Sequence, residues 1–337
     1  MMNKRIVKFA TLAAVGALAL TGCSGSDQGG SGTKDDSIVL IAGHQLAEGT
    51  PFDQGLKKFA ELVEEKTDGR VKVEVKPNAQ LGNETEMFQG LETGTVDAGI
   101  FAPGSIAEYY PSITLLSMPY LVEDRDARDQ ILESGILDSI EQGITDKTGT
   151  EILSYFGGSV RQMFFTEPAR SIEDVEGRLF RVQPSEMLTE SYQAMGLEPT
   201  VIAYNELYNA LESGVVNGAE NEAVFIESQK FYEAAPNILL TQHEVTFRML
   251  MISSKTWDKL GDELTPLVRE AGEEAGVFAR DVEGIADEEL IASLGDHDGV
   301  TVTKVDTSAW RAKMEPIWEK YAEQWGVSEE LKSIEEL

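Results

Sequence analysis

The sequence predicts an α/β protein built as two lobes, and three observations carry that expectation. Short β-rich runs alternate with amphipathic helical stretches along the body. A chain of 337 residues, 42% hydrophobic and 26% charged, is too long for one small core and suits two. Finally, one helix-glycine-strand passage recurs: Gly90-Leu91-Glu92-Thr93-Gly94-Thr95-Val96-Asp97 resembles Ala210-Leu211-Glu212-Ser213-Gly214-Val215-Val216-Asn217. Each copy reads as a helix end, a glycine cap and entry into a buried strand. Convergent capping grammar and shared two-lobe pseudo-symmetry both account for the match. Two similar lobes would leave a cleft between them, where ligand sites commonly lie.

The elements follow in order. Ile38 to Ile41 is a buried first strand, and Phe52 to Lys66 is helical, with Phe52, Leu56, Phe59, Ala60, Leu62 and Val63 at mostly helical spacing. Thr67-Asp68-Gly69 stops that helix, and Val71, Val73 and Val75 alternate as a strand. Glu84 to Glu92 is a helix, Gly94 ends it, and Val96 to Phe101 is the next strand. Much later, Met249 to Ile252 is an apolar run suited to crossing back to the first lobe, and Trp257 to Leu294 is long, helical and acidic outside. Val300 to Thr303 is a short β-branched strand. Thr307 to Leu337 reads as terminal helices whose Trp310, Trp318 and Trp325 recur at the spacing of one helix face, a packing pattern.

Ahead of this body, Lys4, Arg5 and Lys8 precede an apolar run from Phe9 to Leu20 that ends in Leu20-Thr21-Gly22-Cys23. The run is short for a membrane span, which needs roughly 20 apolar residues, and suits a cleaved leader. The ending resembles a bacterial lipobox, which implies a lipoprotein signal peptide over 1–22 and lipid on Cys23. Residues 23–37, rich in Gly, Ser and Asp, read as a flexible tether. Cys23 is the only cysteine, so an intrachain disulfide or a cysteine-ligated metal is excluded.

The formal charge is −31, and loss of the leader's three basic residues would leave a formal −34. Such acidity excludes nucleic acid and anionic membrane surfaces as partners. It does not choose a ligand, because exposed carboxylates are screened over a Debye length of about 8 Å. Nothing calls for a metal or nucleotide cofactor: there is no glycine-rich phosphate loop, zinc-type histidine pair or Gly-x-Ser-x-Gly elbow.

Two arginines depart from packing grammar. Arg161 follows Phe156-Gly157-Gly158-Ser159-Val160, and Arg181 lies inside the apolar strand Leu179 to Val182. A buried guanidinium needs a partner. Its planar fork suits a carboxylate bidentately, which fits either a structural ion pair or a bound acid.

In combination, six segments resemble the periplasmic-type binding subunits of tripartite ATP-independent (TRAP) transporters, the DctP family. They are Pro77 to Gly82, Leu91 to Asp97, Ser117 to Leu121, Asp174 to Val182, Glu206 to Leu211 and Gly214 to Asn221. The resemblance runs from about Ile38 to the C-terminal helices. It implies a two-lobed, periplasmic-binding-protein-like fold of type II with the ligand cleft between lobes. Lobe I would be 38–158 plus 247–286, and lobe II 159–246 plus 287–337 with the C-terminal helices. It implies that Arg181 clamps a ligand carboxylate, that Arg161 faces the same anion and that Asn221 hydrogen-bonds beside it. Tyr204 falls where an aromatic covers the ligand, with core packing as the plain alternative. His44 and Glu84 fall at first-lobe positions that reach ligand hydroxyls. Their plain alternatives are a loop histidine and a helix-start charge. His243 reads as a satisfied structural histidine.

The segments Arg181 to Ser185, Gly218 to Asn221 and Thr241 to Glu244 look most like the sugar-acid (hexuronate) binders, with Gln183 and Ser185 able to face a polyol. Glu222-Ala223-Val224-Phe225 departs from that subgroup, so a C4-dicarboxylate or 2-oxo acid is the alternative cargo. The implied protein is an extracytoplasmic, non-enzymatic subunit that captures a small organic acid and delivers it to a membrane permease. Its rivals are a sensory binding protein docking on a receptor and a glycoside hydrolase using two of the many carboxylates.

Overall fold

The computed structural model describes residues 37–337, so the leader, Cys23 and nearly all of the tether lie outside the described residues. The chain begins with β1 (Ile38–Gly43), α1 (Pro51–Lys66), β2 (Val71–Lys76), α2 (Glu84–Thr93) and β3 (Ala98–Phe101). It continues through α3 (Arg125–Ser134), α4 (Asp138–Thr148) and β4 (Thr150–Tyr155). Then come β5 (Val160–Phe165), β6 (Leu179–Val182), α5 (Glu186–Ala194), β7 (Glu198–Val201), α6 (Leu207–Glu212) and β8 (Gly218–Glu222). After α7 (Ala223–Ser228), α8 (Phe231–Ala234), β9 (Asn237–Val245) and β10 (Met249–Ser253) comes the long α9 (Ser254–Ser293). β11 (Thr301–Lys304), α10 (Ser308–Arg311), α11 (Glu315–Trp325) and α12 (Ser328–Glu335) finish the chain.

These strands form two separate mixed sheets, as the sequence predicts. The first has five strands in the order β2-β1-β3-β10-β4, and the second has six in the order β11-β9-β5-β8-β6-β7. The apolar run Met249 to Ile252 returns to the first sheet, antiparallel to both β3 and β4. The recurring passage forms comparable structures in each sheet. α2 ends at Gly94 (φ +79°) and leads into β3, which pairs parallel to β1; α6 is followed by Gly214 (φ +73°) and leads into β8, parallel to β6. Both glycines take the left-handed conformation that closes a helix without a Cβ clash.

Two strand-like segments pass between the sheets side by side. The Phe156 N–H donates to the Arg248 carbonyl at 2.6 Å, and the Thr246 N–H donates to the Ser159 carbonyl at 3.0 Å. Both glycines of the first crossing are needed there. A Cβ on Gly157 would stand 2.5 Å from the Thr246 carbonyl oxygen, and one on Gly158 would stand 2.3 Å from the Arg280 carbonyl oxygen of α9. The crossings are therefore pressed together and against α9.

Two expectations about helices need adjustment. α9 is kinked at Gly261, whose backbone (φ 67°, ψ −179°) is not helical. The three tryptophans do not share one helix. Trp310 lies on the short α10, whereas Trp318 and Trp325 lie on α11, which restarts with Pro316 in its first turn. Proline is tolerated only in that turn, so the chain breaks between them. Packing is nonetheless their role: Trp310 and Trp318 are buried, and Trp318 Nε1 donates to the Pro119 carbonyl at 3.1 Å.

Candidate functional site

A cavity of about 210 Å³ opens between elements of the two sheets, with a narrow inner recess of about 20 Å³. The two share Gln45, Glu84, Ser105, Arg181 and Tyr204 among their walls. Gln45 follows β1, Glu84 opens α2 and Ser105 follows β3, all from the first sheet's part of the chain. Arg181 comes from β6 and Tyr204 from the turn after β7, on the second sheet's side.

Arg181 is the decisive side chain. β6 lies between β8 and β7, and its register leaves Leu179 exposed while burying Arg181 to 3% exposure. Its Nε donates to the Ile202 carbonyl at 3.0 Å, and its guanidinium lies 5.9 Å from the centre of the Tyr204 ring. Among the described residues it has no carboxylate within 4 Å and no hydrogen-bond acceptor for its two terminal nitrogens. Burial lowers its pKa from the ordinary arginine value, with the positive charge of Arg161 adding to the effect against the field of Glu220. A buried guanidinium whose terminal nitrogens face a cavity has the geometry to take a carboxylate bidentately.

Arg161 also reaches the recess, but its charge is already committed. Its Nη1 donates to the Glu222 carboxylate at 2.6 Å, its Nε donates to the Glu220 carboxylate, and Glu244 lies 3.9 Å away. The opposite faces of the same group serve Arg248, whose Nε donates to Glu222 at 2.8 Å and whose Nη1 donates to Glu84 at 2.9 Å. Burial alone would raise the Glu220 pKa, but Arg161 and His243 hold it well below the carboxylate range. Burial, helped by Glu220 and Glu222 and opposed by Arg161, pushes Glu244 up to about 8. The Ser117 hydroxyl donates to Glu244 at 3.2 Å. Arg161 is thus a wall residue of the recess whose guanidinium belongs to a buried ion-pair network.

The other predicted residues divide. Asn221 is buried in the recess wall; its Oδ1 accepts the Glu222 N–H at 3.2 Å, which fixes its orientation and leaves its amide nitrogen without a partner among the described residues. Tyr204 lines both chambers with its hydroxyl buried and unpartnered, while its ring packs edge-on against Phe225 at 5.7 Å. Gln183 lines the recess and accepts from the Ser105 hydroxyl at 3.3 Å. Glu84 lines both chambers, held by Gln45, Arg248 and the Ala102 N–H. Two residues lie elsewhere. His44 is fully buried, is absent from the cavity walls, and its Nε2 lies 3.4 Å from Asp53 of α1; burial lowers its pKa. The neighbouring Gln45, in the bend after β1, takes the cavity position. Ser185 caps α5, its hydroxyl accepting the Leu188 N–H at 3.3 Å. His243 is buried between the Tyr192 and Thr241 hydroxyls, a structural histidine.

Sequence reasoning missed Gln45, Ser105 and Arg248. Arg248 carried a legible signal, a lone cation at the head of an apolar strand like Arg181. Gln45 and Ser105 are small polar loop residues with none.

Comparison with known proteins settles the family. Residues 42–324 match the family model of the bacterial extracellular solute-binding protein, family 7 (DctP). The chain belongs to that family. It is 36% identical over 304 residues to a solute-binding protein of Sulfitobacter sp. (strain NAS-14.1), covering 90% of this chain and 92% of that one. A crystal structure of a TRAP periplasmic solute-binding protein from Sulfitobacter sp. NAS-14.1 with bound α-D-taluronate superposes with a TM-score of 0.86 at 35% identity, covering 89% and 98% of the two chains. Another, from Chromohalobacter salexigens with bound D-glucuronate, gives 0.83 at 28% identity, covering 88% and 99%. The DctP chain described here is therefore a two-lobed extracytoplasmic solute-binding protein of TRAP type, and a hydrolase reading of its carboxylates is set aside. Among the described residues no helix is long and apolar enough to cross a membrane.

Proposed function

We propose that this DctP protein captures a hexuronate-type sugar acid and hands it to the membrane permease of a TRAP transporter. The open guanidinium fork of Arg181 carries the reading. The carboxylate would dock on its terminal nitrogens, with the Asn221 amide and the Tyr204 hydroxyl donating beside it. The sugar hydroxyls would meet Gln45, Glu84, Ser105 and Gln183. Because these groups come from both sheets' parts of the chain, a ligand touching both favours the closed arrangement through its added contacts. The lobes would be 38–158 plus 247–286 and 159–246 plus 287–337, moving about the paired crossings. Lipid on Cys23 would tether the protein to the outer face of the cell membrane. The hexuronates named for two relatives support the cargo class.

The test is thermal unfolding of a form lacking Cys23 against hexuronates, C4-dicarboxylates and 2-oxo acids. A ligand at 100 times its dissociation constant adds about 2.7 kcal/mol. Stabilisation by a hexuronate supports the proposal. Stabilisation by succinate or a 2-oxo acid alone would replace the cargo, and no response to any acid would overturn the clamp.

A further inference from the structure

The charges around the cavity are arranged unevenly. All three arginines of the site lie at the inner recess, and Arg161 and Arg248 are each bound to two carboxylates. The outer cavity has Arg181 as its only cationic wall residue. Its remaining polar walls are the uncharged Gln45, Asn83, Thr85, Ser105 and Tyr204 and two acids, Glu84 and Glu108. Glu84 is held in the wall by three donors: Gln45 Nε2 at 2.7 Å, Arg248 Nη1 at 2.9 Å and the Ala102 N–H at 2.9 Å. Glu108 is exposed at the mouth, and among the described residues no Lys, Arg or His lies within 4 Å of its carboxylate. A molecule seated with one carboxylate on Arg181 therefore extends toward hydroxyl and amide groups bounded by negative charge.

We infer that this wall is a charge filter, with Glu108 as a specificity-determining residue, which admits polyhydroxy monocarboxylates and rejects acids carrying a second carboxylate at the far end. The inference rests on the Arg181 reading of the site. It adds a definite exclusion: the hexaric acid that shares a hexuronate's carbon skeleton, differing only in a carboxylate at the carbonyl carbon. Such a ligand keeps the hexuronate's run of hydroxyls on an open chain, so its affinity reflects the lost ring as well as the added charge, and a change made at Glu108 isolates the charge. The aldarate must also desolvate a second anion beside Glu84 and Glu108, with no cation to receive it. Rejection by the exposed Glu108 is screened by salt, whereas the part due to the buried Glu84 is not.

The experiment is calorimetric titration at pH 7 with three matched pairs: D-glucuronate and D-glucarate, D-galacturonate and galactarate, and D-taluronate with its aldarate. Wild type, Glu108→Gln and Glu108→Lys would be compared. For the pair whose hexuronate binds, the aldarate is expected to be about tenfold or more weaker on wild type, from like charges a few ångströms apart at the cavity mouth. Glu108→Gln narrows that ratio and Glu108→Lys narrows it further or inverts it. Glu108 is exposed and makes no ion pair, so neither variant threatens the fold. An aldarate that binds wild type as tightly as its hexuronate, or a ratio unmoved by Glu108→Lys, overturns the filter while leaving the clamp intact. Failure of all six sugar acids to bind wild type overturns the clamp and the filter with it.

Discussion

Replacing Arg181 by methionine should destroy ligand binding and, at the same time, leave the empty protein as stable as before or more so. Arg181 is 3% exposed, makes one side-chain hydrogen bond to the Ile202 carbonyl and has no carboxylate within 4 Å among the described residues. Methionine of similar length removes a buried unpaired charge at the cost of that one bond, which is worth about 0.5–1.5 kcal/mol. Replacing buried charges by apolar side chains of similar volume is commonly neutral or stabilising by about 1–4 kcal/mol. The net expectation is a change between about zero and +2 kcal/mol, and in a chain this long each kcal/mol moves the midpoint by about 1.5–2 °C. In the complex the balance reverses. Loss of a buried charge-assisted pair costs about 3–5 kcal/mol, or two to four decades of affinity at 1.4 kcal/mol per decade. Thermal unfolding with and without hexuronate reads both effects in one assay. A variant that loses several degrees without ligand would mean that Arg181 serves the fold. A variant that keeps the ligand-induced shift would mean that the acid binds elsewhere. Either result refutes the clamp.

Arg161 offers the opposite expectation, although the sequence presents the two arginines alike. Arg161→Met removes the arginine partner of the buried Glu220 and leaves Glu222 to Arg248 alone, and should cost about 3–5 kcal/mol without ligand, seen as an early denaturation midpoint. A stable Arg161→Met protein would show that the network is dispensable. Stability should also fall as pH rises from about 5 to 8. Burial raises the folded pKa of Glu283 to about 8, above an unfolded value near 4.3, so the folded state binds the extra proton. That contribution is complete below the unfolded value and is lost as pH passes the folded one. Glu244, also raised to about 8, adds to the same decline, so urea titrations across this range should show a shallower slope in Glu283→Gln than in the wild type, and an unchanged slope in that variant would assign the effect elsewhere.

Much of the fold was legible because its elements rest on local pattern. The alternating Val71, Val73 and Val75, the glycine stops at Gly69 and Gly94 and the apolar run at Met249 each needed only their neighbours. The site was legible where chemistry conflicts with pattern, as at Arg181, a cation inside an apolar strand. What stayed hidden depends on contacts far apart in sequence. Whether an arginine faces a ligand or an internal acid is decided by which strands become neighbours: β5 lies beside β8, which sets Arg161 against Glu222, whereas β6 brings no acid within reach of Arg181. His44 turns inward to Asp53 of α1, a contact nine residues away, and the next residue, Gln45, lines the cavity.

The same pairing makes affinity for an acid depend on pH in a calculable direction. The groups around Glu244 are Arg161 on its own β9 neighbour β5, Glu220 and Glu222 on β8, Arg248 after β9 and the Ser117 hydroxyl. Arg161, Arg248 and Arg181 contribute three positive charges, and the ion-paired Glu84, Glu220 and Glu222 contribute three negative ones. With its pKa near 8, Glu244 is mostly protonated at pH 7, so the interior is close to neutral before a ligand arrives. A carboxylate on Arg181 then brings the only surplus charge. Once Glu244 ionises, the same ligand enters a site already one charge negative, and its affinity should fall as pH rises through about 8. By linkage, binding just above that pH should take up protons, visible as a dependence of the calorimetric heat on the buffer's ionisation enthalpy. Glu244→Gln keeps the shape and removes the titration, so its affinity should stay level across the same range. A wild-type affinity that is flat to pH 9, or a Glu244→Gln protein with the same decline, would show that Glu244 does not set the charge seen by the acid.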